Sequence, residues 1–201
     1  MPNTILLATN NDGKITELRS LLVGAAVNFL GLSDFSHVSA VDETGQTFAE
    51  NARLKAAGYA RQTGLISLAD DSGLEVAALG GRPGVLSARY GGDATTFARK
   101  MANLLDELGQ TGGNDRRARF VCAMAFADEQ GQILFESEGV CDGRIASFPR
   151  GSGGFGYDPL FIPNGYDETF GELSEGIKQK ISHRAGAFEQ IIPFLRDFIA
   201  I

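Results

Sequence analysis

The segment Leu65-Ile66-Ser67-Leu68-Ala69-Asp70-Asp71-Ser72-Gly73 constrains this chain more than any other. Its apolar start reads as a short buried strand, so the two acids emerge at the strand's carboxyl end, where open α/β sheets bind ligands. Adjacent carboxylates repel each other when both are ionised, and a divalent cation such as magnesium relieves that repulsion while leaving room for waters and phosphate oxygens. A plain strand-ending turn uses the same residue types, because Asp, Ser and Gly all favour turns. On this segment alone both readings stand.

Strands and helices alternate around it. Thr4 to Ala8 reads as a buried strand, followed by a polar turn and a helix from Gly13 to Leu22 with Ile15, Leu18, Leu21 and Leu22 at helical spacing. Asn28 to Leu32 reads as a second strand, and Thr47 with Glu50 forms a capping box for a helix through Arg61. Thr95 or Thr96 caps an amphipathic helix to Leu108, and Gly109 to Asp115 is expected to be a mobile, glycine-rich loop. Arg119 to Ala127 and Ile133 to Val140 flank Asp128-Glu129-Gln130-Gly131 as the arms of a hairpin. Ser182 caps a terminal helix, in which the Pro193 ring meets the Glu189 carbonyl, so a kink or break is expected there. Such alternation with one hairpin predicts an α/β fold on a mixed sheet.

At 201 residues the chain fits one domain with room for two lobes and a substantial core. A net charge of −7 argues against a protein that coats nucleic acid, which needs a broad basic surface, so any anionic substrate must meet a local basic cluster. Cys122 and Cys141 are the only cysteines, too few and too far apart for a zinc site or a disulfide framework; both are expected to pack as small apolar groups. Ile5-Leu6-Leu7-Ala8 is too short for a signal-peptide core or a membrane span, and a reducing cytoplasm is the expected setting.

Several segments could hold a polyphosphate. Thr9-Asn10-Asn11-Asp12-Gly13-Lys14 brings a hydroxyl, amides and an ammonium to the amino end of a helix, where unpaired amide hydrogens and the helix dipole favour anions, although a simple Asn or Asp cap needs no ligand. It is not a P-loop: Ala8 holds the first glycine position and Ile15 replaces the Ser or Thr that binds magnesium. Gly151 to Gly156 matches the spacing of a dinucleotide fingerprint but precedes Tyr157-Asp158-Pro159 and not a helix, so that match is discarded. Phe155 and Tyr157 offer either an aromatic surface for a flat base or ordinary core packing. Lys178, Lys180, His183 and Arg184 gather positive charge, as a phosphate or base site or as a solvated face. Ser72 has an acid beside it but no nucleophile-elbow pattern, so a serine hydrolase is improbable.

Taken together, these blocks resemble the non-canonical purine nucleoside triphosphate pyrophosphatase family, also called inosine triphosphate pyrophosphatase-like. Thr9, Asn11, Gly13 and Lys14 match its first motif; Glu43-Thr44-Gly45, Thr47-Phe48 and Glu50-Asn51-Ala52 its second; Ala69 to Leu74 its acidic motif. Gly84 with Ser87-Ala88-Arg89-Tyr90, Gly153 to Pro159 and Ser182-His183-Arg184 complete the likeness over nearly the whole chain. Asn10 stands where many relatives carry Gly, at a turn position where backbone geometry near the phosphates could change.

The resemblance implies a single two-lobed domain over residues 1–201 with a long mixed central sheet flanked by helices, a substrate cleft between lobes, and a homodimer. It implies magnesium-dependent hydrolysis of ITP, dITP and XTP to the monophosphate and pyrophosphate. Asp71 is then the general base beside magnesium, with Asp70 and Glu43 as further ligands and Glu50 a weaker candidate. Thr9, Asn10, Asn11, Asp12, Gly13, Lys14, Ser72 and Lys178 are expected on the substrate, with Phe155, Gly156, Tyr157 and Asp158 at the base and His183 and Arg184 reading its edge. Two rivals are a Maf-like pyrophosphatase, against which the Gly153 to Pro159 and Ser182 to Arg184 blocks speak, and a nucleotide-sensing module without catalysis, which the full acid set disfavours.

Overall fold

The computed structural model describes residues 4–21 and 27–199. Its strands are β1 (Thr4–Leu7), β2 (Asn28–Gly31), β3 (Ile66–Val76), β4 (Arg117–Ala127), β5 (Ile133–Ile145) and β6 (Phe161–Pro163). Its helices are α1 (Asp12–Leu21), α2 (Phe48–Thr63), α3 (Phe97–Gln110), α4 (Glu175–Ile181) and α5 (His183–Ile199). Leu22, placed at the end of the first helix from the sequence, lies outside the described residues. The strands form one sheet in the order β2-β1-β3-β4-β5-β6. Because β1 runs parallel to β2 and β3 while β6 runs antiparallel to β5, the sheet is mixed, as the alternation of elements predicts. Among the described residues no helix is long and apolar enough to cross a membrane.

The chain divides into two compact units, residues 1–71, 122–139 and 184–201 in unit 1, and residues 72–121 and 140–183 in unit 2. Unit 1 has a core of Ile5 and Leu7 from β1, Leu18 from α1, Leu68 from β3, Cys122, Met124 and Phe126 from β4, and Phe188, Ile191 and Leu195 from α5. Unit 2 has its own, with Leu74 and Val76 of β3, Met101, Leu104 and Leu108 of α3, Phe120, Tyr157, Phe161 and Phe170.

Local chemistry sets most element ends. Thr47 and Glu50 form the expected capping box, with Thr47 Oγ1 accepting from the Glu50 amide at 3.2 Å and Glu50 Oε2 accepting from the Thr47 amide at 3.3 Å. Thr96 caps α3, while Thr95 donates its hydroxyl to the Gly91 carbonyl. The Asp128 carboxylate accepts from the amides of Gln130 and Gln132 and shapes the turn between β4 and β5. Both cysteines are free and buried. Asn10 is accommodated without strain, since among the described residues positive φ occurs only at glycines.

Three expectations are corrected. First, β3 does not stop before the acids but carries Asp70 and Asp71 through its middle, both buried. Second, α3 takes in Gly109 and ends at Gln110, because buried Leu104 and Leu108 hold its last turn, and β4 starts at Arg117, so the anticipated loop shrinks. Third, α5 is unbroken at Pro193. Pro193 and Glu189 are both exposed, so the carbonyl that Pro193 cannot bond is open to solvent, while Phe188, Ile191 and Leu195 anchor the opposite side.

Candidate active site

Successive residues of a strand point to opposite faces, so Asp70 and Asp71 meet different helices. On one face of β3, Asp70 Oδ2 accepts from Arg184 Nη2 at 3.0 Å and Nε at 3.3 Å, and lies 3.1 Å from Lys14 Nζ of α1. Arg184, fully buried at the start of α5, also pairs through Nη1 with Glu17 of α1. Burial alone disfavours the charged Asp70, but the cations of Lys14, Arg184 and Lys55 overcome it and hold the carboxyl well below its ordinary range. Asp70 is an anion at every physiological pH.

On the other face, Asp71 meets α2. Its Oδ1 accepts from Lys55 Nζ at 2.9 Å and its Oδ2 from Asn51 Nδ2 at 3.2 Å, and the same ammonium lies 3.4 Å from Glu43 Oε1. Asn51 Oδ1 in turn accepts from the Gly45 amide at 2.8 Å, which fixes the orientation of its side chain. Only glycine fits at 45, since a Cβ there would stand 2.6 Å from Glu50 Cβ and 2.7 Å from Asn51 Oδ1. Burial raises the Asp71 pKa; Lys55 and Lys14 pull it down, and burial with help from Glu43 prevails. For Lys55 burial works against the charge, yet Asp71, Asp70 and Glu43 keep it protonated above its ordinary range.

The Thr9 to Lys14 turn is built by its own side chains. Asn11 caps α1 by accepting from the Lys14 amide at 3.0 Å, and Thr9 Oγ1 accepts from the Asn11 amide at 3.2 Å. Asn10, Asn11 and Asp12 are exposed, Gly13 half-buried, and the Lys14 ammonium reaches Asp70.

The magnesium reading can be tested on these atoms. Among the described residues no three acidic, histidine or cysteine side chains are grouped to enclose an ion. However, among the described residues Asp70 Oδ1 is buried without a hydrogen-bond partner, which leaves a hard oxygen donor with both lone pairs in hand. Magnesium takes one or two carboxylates and completes its shell with water and phosphate oxygens, so Asp70 through Oδ1 fits an ion that arrives with a polyphosphate, whereas both Asp71 oxygens accept from Lys55 and Asn51, and Glu43 faces the Lys55 ammonium. Glu50 is less suited, because its Oε2 accepts from the Gln46 and Thr47 amides.

Unit 2 holds the glycine-rich signature. Asp158 Oδ2 accepts from the Phe155 amide at 2.7 Å and from Lys178 Nζ at 2.5 Å, and that ammonium stands 4.8 Å over the Phe155 ring and 5.6 Å over that of Phe170. Gly154 has φ +68°, and a Cβ on it would lie 2.0 Å from the Asp158 carboxylate. Phe155 is half-buried, whereas Tyr157 is core: it is 3% exposed, donates its hydroxyl to the Ser87 carbonyl at 3.0 Å and packs edge-on against Phe97. For Tyr157 the packing alternative is therefore the one realised. Gly156 has φ +66°, and Ser72 is half-buried in β3. His183 stacks on Phe120, with centroids 4.7 Å apart and planes 12° off parallel.

The residues of the anticipated basic cluster have separate partners. Lys178 serves Asp158, Arg184 serves Asp70 and Glu17, and Lys180 is exposed. The edge-reading role expected of Arg184 does not match this placement, since three of its nitrogens are engaged by Asp70 and Glu17. Sequence reasoning missed Lys55 and Glu17 and named Asn51 only within a motif, without a role. A signal for two of them existed: Asn51 and Lys55 fall on the buried stripe of α2 with Ala52, Ala56, Tyr59 and Ala60, where a polar group needs a specific partner.

The mixed sheet flanked by helices, with two acids buried in a central strand among cations, is that of an α/β protein. The Ham1 family model matches residues 5–194, and this chain belongs to the Ham1 family. A dITP/XTP pyrophosphatase of Gloeobacter violaceus is 50% identical over 194 residues, covering 96% of this chain and 94% of that protein. One of the same name from Prochlorococcus marinus is 45% identical over 97% of this chain and 94% of its own length. Among solved structures, a HAM1 protein from Coxiella burnetii superposes with a TM-score of 0.89 at 42% identity, over 98% of this chain and 100% of that one.

Proposed function

We propose that this chain hydrolyses ITP, dITP and XTP between the α and β phosphates, releasing the nucleoside monophosphate and pyrophosphate. Support comes from near-full-length relatives that carry the name dITP/XTP pyrophosphatase at 45% and 50% identity. The observation that carries the chemistry is the pair of neighbouring buried carboxylates with opposite electrostatics, Asp70 kept ionised and Asp71 shifted upward.

Asp71 acts as general base, taking the proton of the attacking water on an oxygen whose direction is set by Lys55 and Asn51. Asp70 through Oδ1 would hold magnesium, which when bound neutralises phosphate oxygens. Lys14, at the amino end of α1, supplies a further positive charge to the polyphosphate, and Arg184 acts at one remove by locking Asp70. The resemblance assigns Phe155, Asp158 and His183 to the base and Lys178 to phosphate charge. A 6-oxo purine accepts hydrogen bonds where adenine donates, so donors placed there reject ATP. The reading also includes magnesium dependence and a homodimer, which the resemblance implies, and a cytoplasmic setting.

Pyrophosphate release from ITP, XTP, GTP and ATP, with and without magnesium, tests it. A marked preference for ITP and XTP is expected, and Asp71→Asn is expected to lose turnover by at least about a hundredfold while still binding nucleotide. Preference for the ordinary nucleotides, or near-normal turnover by Asp71→Asn, would overturn it.

A further inference from the structure

We propose that Phe120 is a positioning residue for base selection: its ring sets the plane of the His183 imidazole and so aims the imidazole edge. This rests on the reading of His183 as a base contact. The two rings are nearly parallel, 4.7 Å apart at their centroids, and 6% and 5% exposed. Phe120 is itself immobilised, with its ring 4.7 Å from Phe161 and 6.2 Å from Phe170, both fully buried. The same Phe170 lies beneath the Lys178 ammonium. One aromatic cluster of unit 2 therefore backs both His183 and the Lys178–Asp158 pair.

The physical reason concerns torsion. The second side-chain torsion of histidine is broad and roughly two-fold, so the backbone does not determine where its ring nitrogens point. A flat hydrocarbon face against one side of the imidazole fixes the plane of the ring, so its edge can hydrogen-bond only within that plane. Hydrogen bonds weaken steeply as they bend, so a ring free to turn discriminates less between an acceptor and a donor on the purine.

The experiment measures kcat and KM for ITP and ATP in the wild type, Phe120→Leu, Phe120→Tyr, His183→Ala and the Phe120→Leu/His183→Ala double variant. Phe120→Leu is expected to raise KM for ITP and lower the ITP-over-ATP ratio of kcat/KM by roughly 3- to 10-fold, the worth of one ordinary hydrogen bond, with kcat little changed. Phe120→Tyr retains the ring and is expected to retain the ratio. In the His183→Ala background, Phe120→Leu is expected to add nothing.

A ratio unchanged by Phe120→Leu while His183→Ala reduces it overturns the proposal, as does an equal fall in kcat for both nucleotides. If His183→Ala itself leaves the ratio intact, the base reading fails instead. Proton NMR adds a check that needs no variant. The chain has two histidines, and the His183 ring protons are expected upfield of free histidine because they lie against the Phe120 face. Their appearance at the free-histidine position would refute the stack.

Discussion

Lys178→Met removes one charge from an ion pair whose side chains are 8% and 3% exposed and whose atoms stand 2.5 Å apart. Methionine keeps much of the stem volume, so the change isolates the charge. Deleting one partner of a buried pair leaves the other desolvated and uncompensated, at a cost of about 3–5 kcal/mol. Asp158 keeps the Phe155 amide as a donor, which places the expectation toward the lower end. The double variant Lys178→Met/Asp158→Asn carries no charge, retains an acceptor for that amide, and is expected to recover most of the loss, since neutral replacements of buried pairs are often close to neutral in stability.

Urea unfolding followed by tyrosine fluorescence suits the measurement. The chain has no tryptophan, and Tyr90, Tyr157 and Tyr166 of its four tyrosines belong to unit 2, where the pair lies. At a slope of about 2 kcal/mol per molar urea the midpoint of Lys178→Met is expected to fall by about 1.5–2.5 M. A loss under about 1 kcal/mol, the range of surface pairs, or a double variant no more stable than the worse single one, would show that the two groups do not depend on each other.

Lys55→Met is expected to lower kcat by at least about a hundredfold with a smaller effect on KM, because it withdraws the ammonium that orients Asp71 and faces Glu43; initial rates on ITP check this. Alkaline pH is expected to destabilise the protein. Burial pushes the Cys141 thiol up to about 12 and raises the Tyr157 phenol as well, so folding favours their neutral forms. That contribution is intact below the unfolded pKa of about 8.5 for a thiol and about 10 for a phenol, and it is lost as pH rises through the folded values. Urea midpoints measured from pH 7 to 10 should fall above about pH 8.5, and a flat profile would contradict the assignment.

What could be read from the sequence was local. The Thr47 and Glu50 box, the Asp128 turn and the apolar spacing of Leu104 and Leu108 each depend on residues within a few positions of one another. The strand through Asp70 and Asp71 could not be read that way, because two carboxylates can be buried only when cations compensate them, and those come from positions 14, 55 and 184. Proximity in sequence also misled. His183 and Arg184 are consecutive in α5, and since helix residues advance by about 100° each, neighbours face different surroundings: His183 meets the Phe120 ring and Arg184 meets Asp70 and Glu17.

The opposite treatment of the two acids is the strongest physical support for assigning them different work. Equivalent carboxylates side by side would compete for the same proton and the same cation, whereas here strand geometry turns them to opposite faces with unequal surroundings. Asp70 faces two cations at about 3 Å, so protonation is suppressed and one of its oxygens is occupied, while Oδ1 has no hydrogen-bond partner among the described residues. A group in that state keeps its charge and is unsuited to accepting a proton. Asp71 faces one ammonium that it shares with Glu43, and burial outweighs that attraction, so its proton affinity is raised. Pairs of titratable groups whose environments drive them apart mark the division between charge and proton transfer in hydrolytic sites. In this chain the division falls between residues 70 and 71, and it is the cations, more than the acids themselves, that create it.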